Sequence, residues 1–471
     1  MTGVTPFQLA GRRVTVLGLA REGTALARYL AEQGAEVTVS DLKDKHQLAV
    51  NLAQLSDLPI RYVLGGHPPG ILDTDILFVS PGIPLETPIV VEAVRRGVAL
   101  CSESRLTTRL IPAPVLGITG SSGKTTTTAL VGEMLVASGI TAFVGGNIGR
   151  PLLSRLPEMT PACRAVMELS SFQLELFGDS LIVGGLSATL VPPGGWSPHV
   201  AAVLNLTPNH LDRHPSMEDY VAAKANILLY QGEGDYAVLN ADDPWTPRLA
   251  KMCRGRVLTF SSSHEVEEGA FLRGKELVLR VGGREGVFCQ EGEIRLRGAH
   301  NRDNILAASV VAALGGATVE AIGQTARTFG GVPHRLELVR EWRGVRYYND
   351  SIATSPERAM AALRSFDEPI VLLAGGRDKH LPWEEWAALV REKVACLILF
   401  GEAANLIKNA LGQRGPTLHQ VATMEEAVVL ASRLARPGQV VLLSPGGTSF
   451  DAYRDYEERG DVFRSLVSSL S

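Results

Sequence analysis

The sequence predicts an α/β protein of three domains built on largely parallel sheets, and three observations carry that prediction. Short β-branched runs alternate with alanine-rich, helix-like stretches almost throughout, the pattern of strands joined by helical crossovers. The chain has 471 residues, enough for about three domains at roughly 150 residues each. Two breaks, Ile111-Pro112-Ala113-Pro114 and Gly330-Gly331-Val332-Pro333, fall where proline and glycine turn the backbone away from regular structure. The expected domains are therefore 1–110, 111–332 and 333–471.

Composition narrows the function classes. With 45% hydrophobic and 20% charged residues, the chain has ample material for buried cores and is neither disordered nor a disulfide miniprotein. A net charge of −4 leaves no electrostatic footprint for nucleic acid or an anionic membrane, so neither is expected as a partner. The five cysteines (101, 163, 253, 289 and 396) are widely spaced with no CxxC pair and read as thiols of a reducing compartment. No charged-then-apolar leader opens the chain, and no apolar run approaches the ~18 residues a bilayer needs, so a cytoplasmic location is expected. Of 46 basic residues only nine are lysines, which draws attention to where a compact or deprotonatable amine is kept.

The first domain opens with the apolar run Val14-Thr15-Val16-Leu17, then a glycine-bounded turn and an alanine-rich helix to about residue 33. A second strand, Val37-Thr38-Val39-Ser40, ends at Asp41, and a later one, Ile76 to Val79, runs into Ser80-Pro81-Gly82-Ile83-Pro84. This is the βαβ pattern of a Rossmann-like domain. The turn Gly18-Leu19-Ala20-Arg21-Glu22-Gly23 has the outline of a dinucleotide fingerprint, but the Cβ of Ala20 restricts the approach of a pyrophosphate. Asp41 stands where an acid commonly meets a ribose or base. These residues leave a nicotinamide cofactor, a uridine nucleotide and no ligand equally open.

The second domain begins with the strand Val115 to Ile118, followed by strands near 165–169, 201–206 and 236–240, a parallel sheet of P-loop ATPase type. Gly117-Ile118-Thr119-Gly120-Ser121-Ser122-Gly123-Lys124-Thr125 lies between strand and helix. Its glycines let backbone N–H groups face phosphate oxygens, Lys124 can reach the β- and γ-phosphates, and the Thr125 hydroxyl can ligate Mg²⁺. Isoleucine at 118 replaces a glycine of the strict pattern, so the match is to a GxxGxxGKT variant. Glu168 follows Ala165-Val166-Met167 at a strand's carboxyl end, placed either to assist a metal or simply to be solvated. His210-Leu211-Asp212 could bring imidazole and carboxylate to the same locus, and Lys224 lies on an expected helix. Taken singly, these last read more plainly as a hydrogen-bonded histidine and a solvated lysine. Residues 256–297 predict an antiparallel β excursion, followed by a helix from near Asn301. The third domain, with strands near 344–348, 370–374, 396–400 and 440–444, is again Rossmann-like.

Taken together and in order, Gly120-Ser121-Ser122-Gly123-Lys124-Thr125, Gly146-Asn147-Ile148-Gly149, Glu168-Leu169-Ser170-Ser171-Phe172-Gln173, His210-Leu211-Asp212-Arg213 and Ala223-Lys224 resemble the motifs of the Mur ligase family. Pro333-His334-Arg335, Asn349-Asp350-Ser351, Ala353-Thr354, Leu442-Leu443-Ser444-Pro445 and Ser449-Phe450-Asp451 extend the resemblance over essentially the whole chain and point to its D-glutamate-adding branch.

The resemblance implies a monomeric ATP-dependent ligase of peptidoglycan precursor synthesis, joining D-glutamate to UDP-N-acetylmuramoyl-L-alanine through an acyl phosphate. ATP phosphates and one Mg²⁺ would lie on Gly120, Ser121, Ser122, Gly123, Lys124, Thr125 and Thr126, with Glu168 assisting. His210 and Lys224 would serve a second Mg²⁺, Lys224 as a carbamate, and His210 is a candidate base. Asn301, Asn304, Arg335 and Asp350 would hold adenine, ribose and phosphate. The uridine nucleotide would meet Arg21, Glu22, Asp41 and Gly82, with Asn147 at the sugar-peptide end. D-glutamate would meet His334, Thr354, Lys379, Ser449 and Tyr456. Two departures stand out: Ile352 occupies a place where the family often has lysine, and residues 178–200 form an insertion expected to be a loop near the cleft. The competing readings are a sister ligase, a nicotinamide dehydrogenase that would leave the Lys124 loop idle, and a nucleotide-switched binding protein.

Overall fold

The computed structural model describes residues 8–210, 213–296, 298–379, 381–412 and 415–470, and it resolves into two compact units. The first comprises Met1–Ile294 with Ala299–Thr328, the second Arg295–Gly298 with Phe329–Ser471.

Within the first unit, β1 (Arg13–Leu17), β2 (Glu36–Asp41), β3 (Arg61–Leu64), β4 (Ile76–Val79) and β5 (Ala99–Cys101) form a parallel sheet in the order β3-β2-β1-β4-β5. Both faces are covered, so the central strands are apolar on both sides: Val14 and Val16 enter one core, Leu17, Leu77 and Val79 the other. The strand order reverses between β1 and β4, where such sheets open a crevice at their carboxyl ends. The turns 18–23 and 80–84 both lie there. A Cβ on Gly23 would fall 2.0 Å from the Gly18 carbonyl oxygen, so only glycine lets the helix Arg21–Glu32 start this close to β1.

The second sheet of this unit contains β6 (Val115–Thr119), β7 (Ala142–Gly146) and β8 (Arg164–Glu168). After a hairpin of β9 (Leu181–Val183) and β10 (Leu186–Ala188) it continues with β11 (Val200–Val203), β12 (Tyr236–Asn240), β13 (Arg256–Ser261), β14 (Gly269–Arg273), β15 (Glu276–Val281) and β16 (Arg284–Gln290). Its nine strands run β16-β15-β14-β13-β12-β11-β6-β8-β7. The antiparallel excursion expected over 256–297 is narrower than that range. β13 and β14 pair in parallel, extending the central sheet, and the antiparallel pairings are confined to β14–β15 and β15–β16. Residues 262–268 carry the chain back to the starting level of β13, which the alternating pattern of these short strands does not disclose.

The 178–200 insertion is likewise not a loop. Val183, Ala188 and Leu190 pack into the core beneath the first sheet, and Leu190 bridges Leu100 in parallel fashion. Arg105, fully buried on the helix Glu103–Leu110, binds this segment: its guanidinium donates to the carbonyls of Leu176, Gly178, Val191, Pro192 and Gly194. Burial without a carboxylate partner lowers its pKa to about 10.

The second unit holds β17 (Glu337–Trp342), β18 (Val345–Asn349), β19 (Ile370–Gly375), β20 (Val394–Phe400), β21 (Thr417–Gln420) and β22 (Val440–Gly446) in the order β17-β18-β22-β19-β20-β21. All neighbours are parallel except the β17–β18 hairpin. β18, β22 and β19 lie side by side, so the loops beginning at Asp350, Gly376 and Gly447 emerge from one edge. Among the described residues no helix is long and apolar enough to cross a membrane, and the five cysteines are free thiols.

Candidate active site

The loop between β6 and the helix Lys124–Ala137 is the best-organised polar feature of the first unit. Gly123 has φ +81°, and a Cβ there would stand 2.1 Å from Asn304 Oδ1, so glycine brings the loop onto the helix Ala299–Leu314. Asn304 in turn donates to Asn301 Oδ1 at 3.0 Å, which joins two of the expected nucleotide residues beside the loop. Ser121 Oγ donates to Thr207 O at 2.9 Å and lies 3.0 Å from Tyr220 OH; Ser122 N donates to Asn205 Oδ1 at 2.9 Å. Thr126 is buried at the first turn of the helix. Lys124 Nζ folds back to donate to Gly120 O at 2.9 Å and Ser121 O at 3.2 Å, inside the concavity that the loop amides outline.

Two acid-binding contacts meet here. Thr125 Oγ1 donates to Glu168 Oε2 and Asn147 Nδ2 to Glu168 Oε1, both at 2.8 Å. A carboxylate, a hydroxyl and an amide thus stand together at the carboxyl ends of β6, β7 and β8. Lys224, 2% exposed, donates to Thr119 Oγ1 at 3.1 Å and Gly120 O at 3.0 Å, so its hydrogen bonds go to neutral oxygens. Burial, with the Lys124 cation close by, pushes its pKa well below the ordinary amine value; Glu168 opposes that shift. Thr125, Glu168 and Lys224 converge on one locus. His210 is exposed on the flank of this region, its ring centroid 4.9 Å from that of Phe172 in an edge-on arrangement. Leu211 and Asp212 lie outside the described residues. Among the described residues no three His, Cys, Asp or Glu side chains gather as a metal cage. The oxygen donors Thr125 and Glu168 are nonetheless the hard ligands magnesium prefers.

The expected nucleotide residues of the first sheet are placed around its crevice. Asp41 Oδ2 accepts from Leu19 N at 2.7 Å, fixing the glycine turn; Arg21 donates to Asn147 O at 3.3 Å; Gly82 is exposed with open space where a Cβ would point. Glu22 accepts from Gln173 Nε2 at 3.1 Å. Burial raises the Glu22 carboxyl to about 7 and Glu103 to about 8, where the charge on Glu22 adds to the effect. Both acids are therefore favoured neutral in the fold, and their contribution to stability is complete at acid pH and is lost as pH climbs through 7 and 8. Glu103→Gln keeps an acceptor for the Thr107 hydroxyl (3.0 Å in the parent) and removes the titration. Its Tm at pH 9 is expected to exceed the parent's by about 2–4 °C, the shift that ~1 kcal/mol produces, with little difference at pH 5. Parallel melting curves at both pH values would assign the dependence to another group.

In the second unit, His334 adopts φ +65°, is nearly buried, and sits 3.1 Å from Asn349 Nδ2 through Nδ1, with its pKa lowered chiefly by burial. Asp350 accepts from Ser444 Oγ at 2.9 Å and Leu336 N at 3.2 Å, and burial raises it to about 7. Arg335 is exposed. Lys379 Nζ lies 3.4 Å from Thr354 Oγ1, Ser449 is buried, and the Tyr456 ring is 6.2 Å from that of His334. Ile352 is half-buried, its amide donating to His334 O at 3.1 Å, while Arg377 is engaged with Glu402.

Three models of known families match successive parts of this chain: a Mur ligase MurD-like N-terminal domain over residues 12–102, a Mur ligase middle domain over 118–312, and a Mur ligase glutamate ligase domain over 334–447. The chain belongs to the Mur ligase family. Among its relatives, the UDP-N-acetylmuramoylalanine–D-glutamate ligases of Symbiobacterium thermophilum and Geotalea uraniireducens are 44% and 43% identical to it over 465 residues. The matches cover 98% of this chain in both cases, and 98% and 99% of the relatives. Of solved structures, the UDP-N-acetylmuramate–alanine ligase of Thermotoga maritima is similar in fold, with a TM-score of 0.58 at 19% identity, covering 97% of this chain and 100% of that one.

For this Mur ligase, sequence reasoning missed two buried arginines. Arg105 holds the insertion, and Arg459 donates to Ser351 Oγ, Ser351 O and Gly447 O, binding the Asp350-Ser351 turn to the loop after β22. No local motif marks them, because their partners are mostly backbone carbonyls distant in sequence.

Proposed function

We propose that this Mur ligase adds D-glutamate to UDP-N-acetylmuramoyl-L-alanine with cleavage of ATP, as a cytoplasmic monomer. The observation that supports it most is the convergence of Lys124, Thr125, Glu168 and Lys224 on one locus in a chain that matches D-glutamate ligases over 98% of its length. A carboxylate is a poor electrophile, so the terminal carboxylate of the alanyl substrate attacks the γ-phosphorus of ATP, the β–γ bond breaks, and an acyl phosphate and ADP result. The amine of D-glutamate then attacks the acyl carbon; the tetrahedral intermediate expels phosphate and leaves an amide. Lys124 and the loop amides of 120–126 receive the phosphates, and Asn301 and Asn304 the nucleoside end. Arg335 and Asp350 keep an assignment to the nucleotide.

Thr125 and Glu168 would hold one magnesium ion, and His210 with a carbamate on Lys224 a second. When bound, the ions offset the charge of two anions brought together. Among this chain's own groups, His210 is the candidate to take the proton from the incoming ammonium. Arg21, Glu22, Asp41, Gly82 and Asn147 would line the uridine nucleotide, and His334, Thr354, Lys379, Ser449 and Tyr456 the amino acid. The test is phosphate release from ATP with UDP-N-acetylmuramoyl-L-alanine, with and without D-glutamate. Release that needs both supports the ligase. Release from ATP alone supports a nucleotide switch, and release with L-lysine or diaminopimelate in place of D-glutamate a sister ligase.

A further inference from the structure

Arg213 reaches from the chain beside His210 to the first sheet. Its Nη1 donates to Pro81 O at 3.2 Å, in the turn that follows β4 at the crevice, and its Nη2 donates to Glu175 Oε2 at 3.1 Å. The guanidinium lies over the Phe172 ring, 4.6 Å from its centroid. Both ion-pair partners are largely withdrawn from water, with side-chain exposures of 11% and 15%. Phe172 in turn presents its ring to the His210 imidazole at 4.9 Å and stacks on His214 at 5.7 Å. His210 has φ +54°, in the left-handed region that a residue with a Cβ adopts only under constraint. It is held there because its carbonyl accepts from the amides of Arg213 at 3.0 Å and His214 at 2.9 Å.

One side chain therefore fastens the nucleotide turn, the acid Glu175 just ahead of the 178–200 segment, and the aromatic plate against which His210 rests. We propose that Arg213 is a positioning residue that transmits occupancy of the Pro81-Gly82 turn to the orientation of His210. The inference rests on the ligase reading given above. A nucleoside diphosphate on the turn shifts Pro81, Arg213 follows its carbonyl, and Phe172 and the His210 backbone follow Arg213. Lysine cannot replace it, since an ammonium cannot bond a carbonyl and a carboxylate in one plane while stacking on a ring.

The test combines kinetics with the ring signals of histidine-labelled protein. In the parent, adding UDP-N-acetylmuramoyl-L-alanine is expected to move the His210 signal, assigned with His210→Gln. In Arg213→Lys that movement is expected to vanish and kcat to fall about ten- to a hundredfold, the size of loss that a small misplacement produces, with the Kd for ATP unchanged. Should Arg213→Lys melt far below the parent, Phe172→Leu, which leaves the ion pair intact, is expected to show the same two losses. A His210 signal that still moves with full kcat in the folded variant overturns the proposal. Parent protein that releases no phosphate with both substrates overturns the ligase reading instead.

Discussion

Lys224→Ala is expected to lower kcat by about a hundred- to a thousandfold, the equivalent of ~3–4 kcal/mol, and millimolar formate or acetate to restore part of it. An ammonium at this buried position, beside Lys124, would repel magnesium. A neutral amine there can instead attack carbon dioxide: the N–C bond forms, the nitrogen loses a proton, and the product is an anionic carbamate with two hard oxygens. The environment is suited to the neutral amine, since Lys224 is 2% exposed and donates to the Thr119 hydroxyl and the Gly120 carbonyl, both neutral. An added short acid would supply the missing carboxylate. Full activity of the alanine variant in carbon dioxide-depleted buffer would falsify the carbamate assignment.

Lys379→Ala is expected to raise the KM for D-glutamate ten- to a hundredfold, because a charge-assisted hydrogen bond to a carboxylate contributes ~1.5–3 kcal/mol. Thr354, Lys379 and Ser449 follow β18, β19 and β22, which are neighbours in the sheet, and the loops after β19 and β22 are joined by reciprocal Arg377–Thr448 amide bonds of 2.8 Å. Arg377 is spent on Glu402, whereas Lys379, whose amine touches Thr354, is a cation of this edge suited to an acidic substrate. The KM values for ATP and the UDP-substrate are expected to move little. A common rise in all three would mean that Lys379 supports the fold and not the amino acid.

What was legible in the sequence follows from range. The strands Arg13–Leu17, Val115–Thr119 and Ile370–Gly375 are short, mainly apolar runs whose period and length declare them, and the Gly120–Thr125 loop declares itself because its signal resides in consecutive residues. The hairpin of Leu181–Ala188 was read as a loop because three-residue strands with Gly184-Gly185 between them carry almost no period, and what orders them is the core under a different sheet. β13 and β14 were read as antiparallel because seven intervening residues usually make a turn. Arg105 and Arg459 carry no local signal for a related reason. Their bonds reach 12 to 108 positions along the chain, so no short stretch of sequence holds both partners.

The cage around Arg105 has a mechanical meaning. Any motion that drew the helix Glu103–Leu110 away from the 176–194 segment would have to tear a buried cation from five carbonyls at once, each hydrogen bond to a charged group being worth ~1.5–3 kcal/mol. That sum is comparable to the stability of a whole domain. Helix and segment are thereby riveted together, and a thermal fluctuation large enough to separate them would be an unfolding event, not a working stroke.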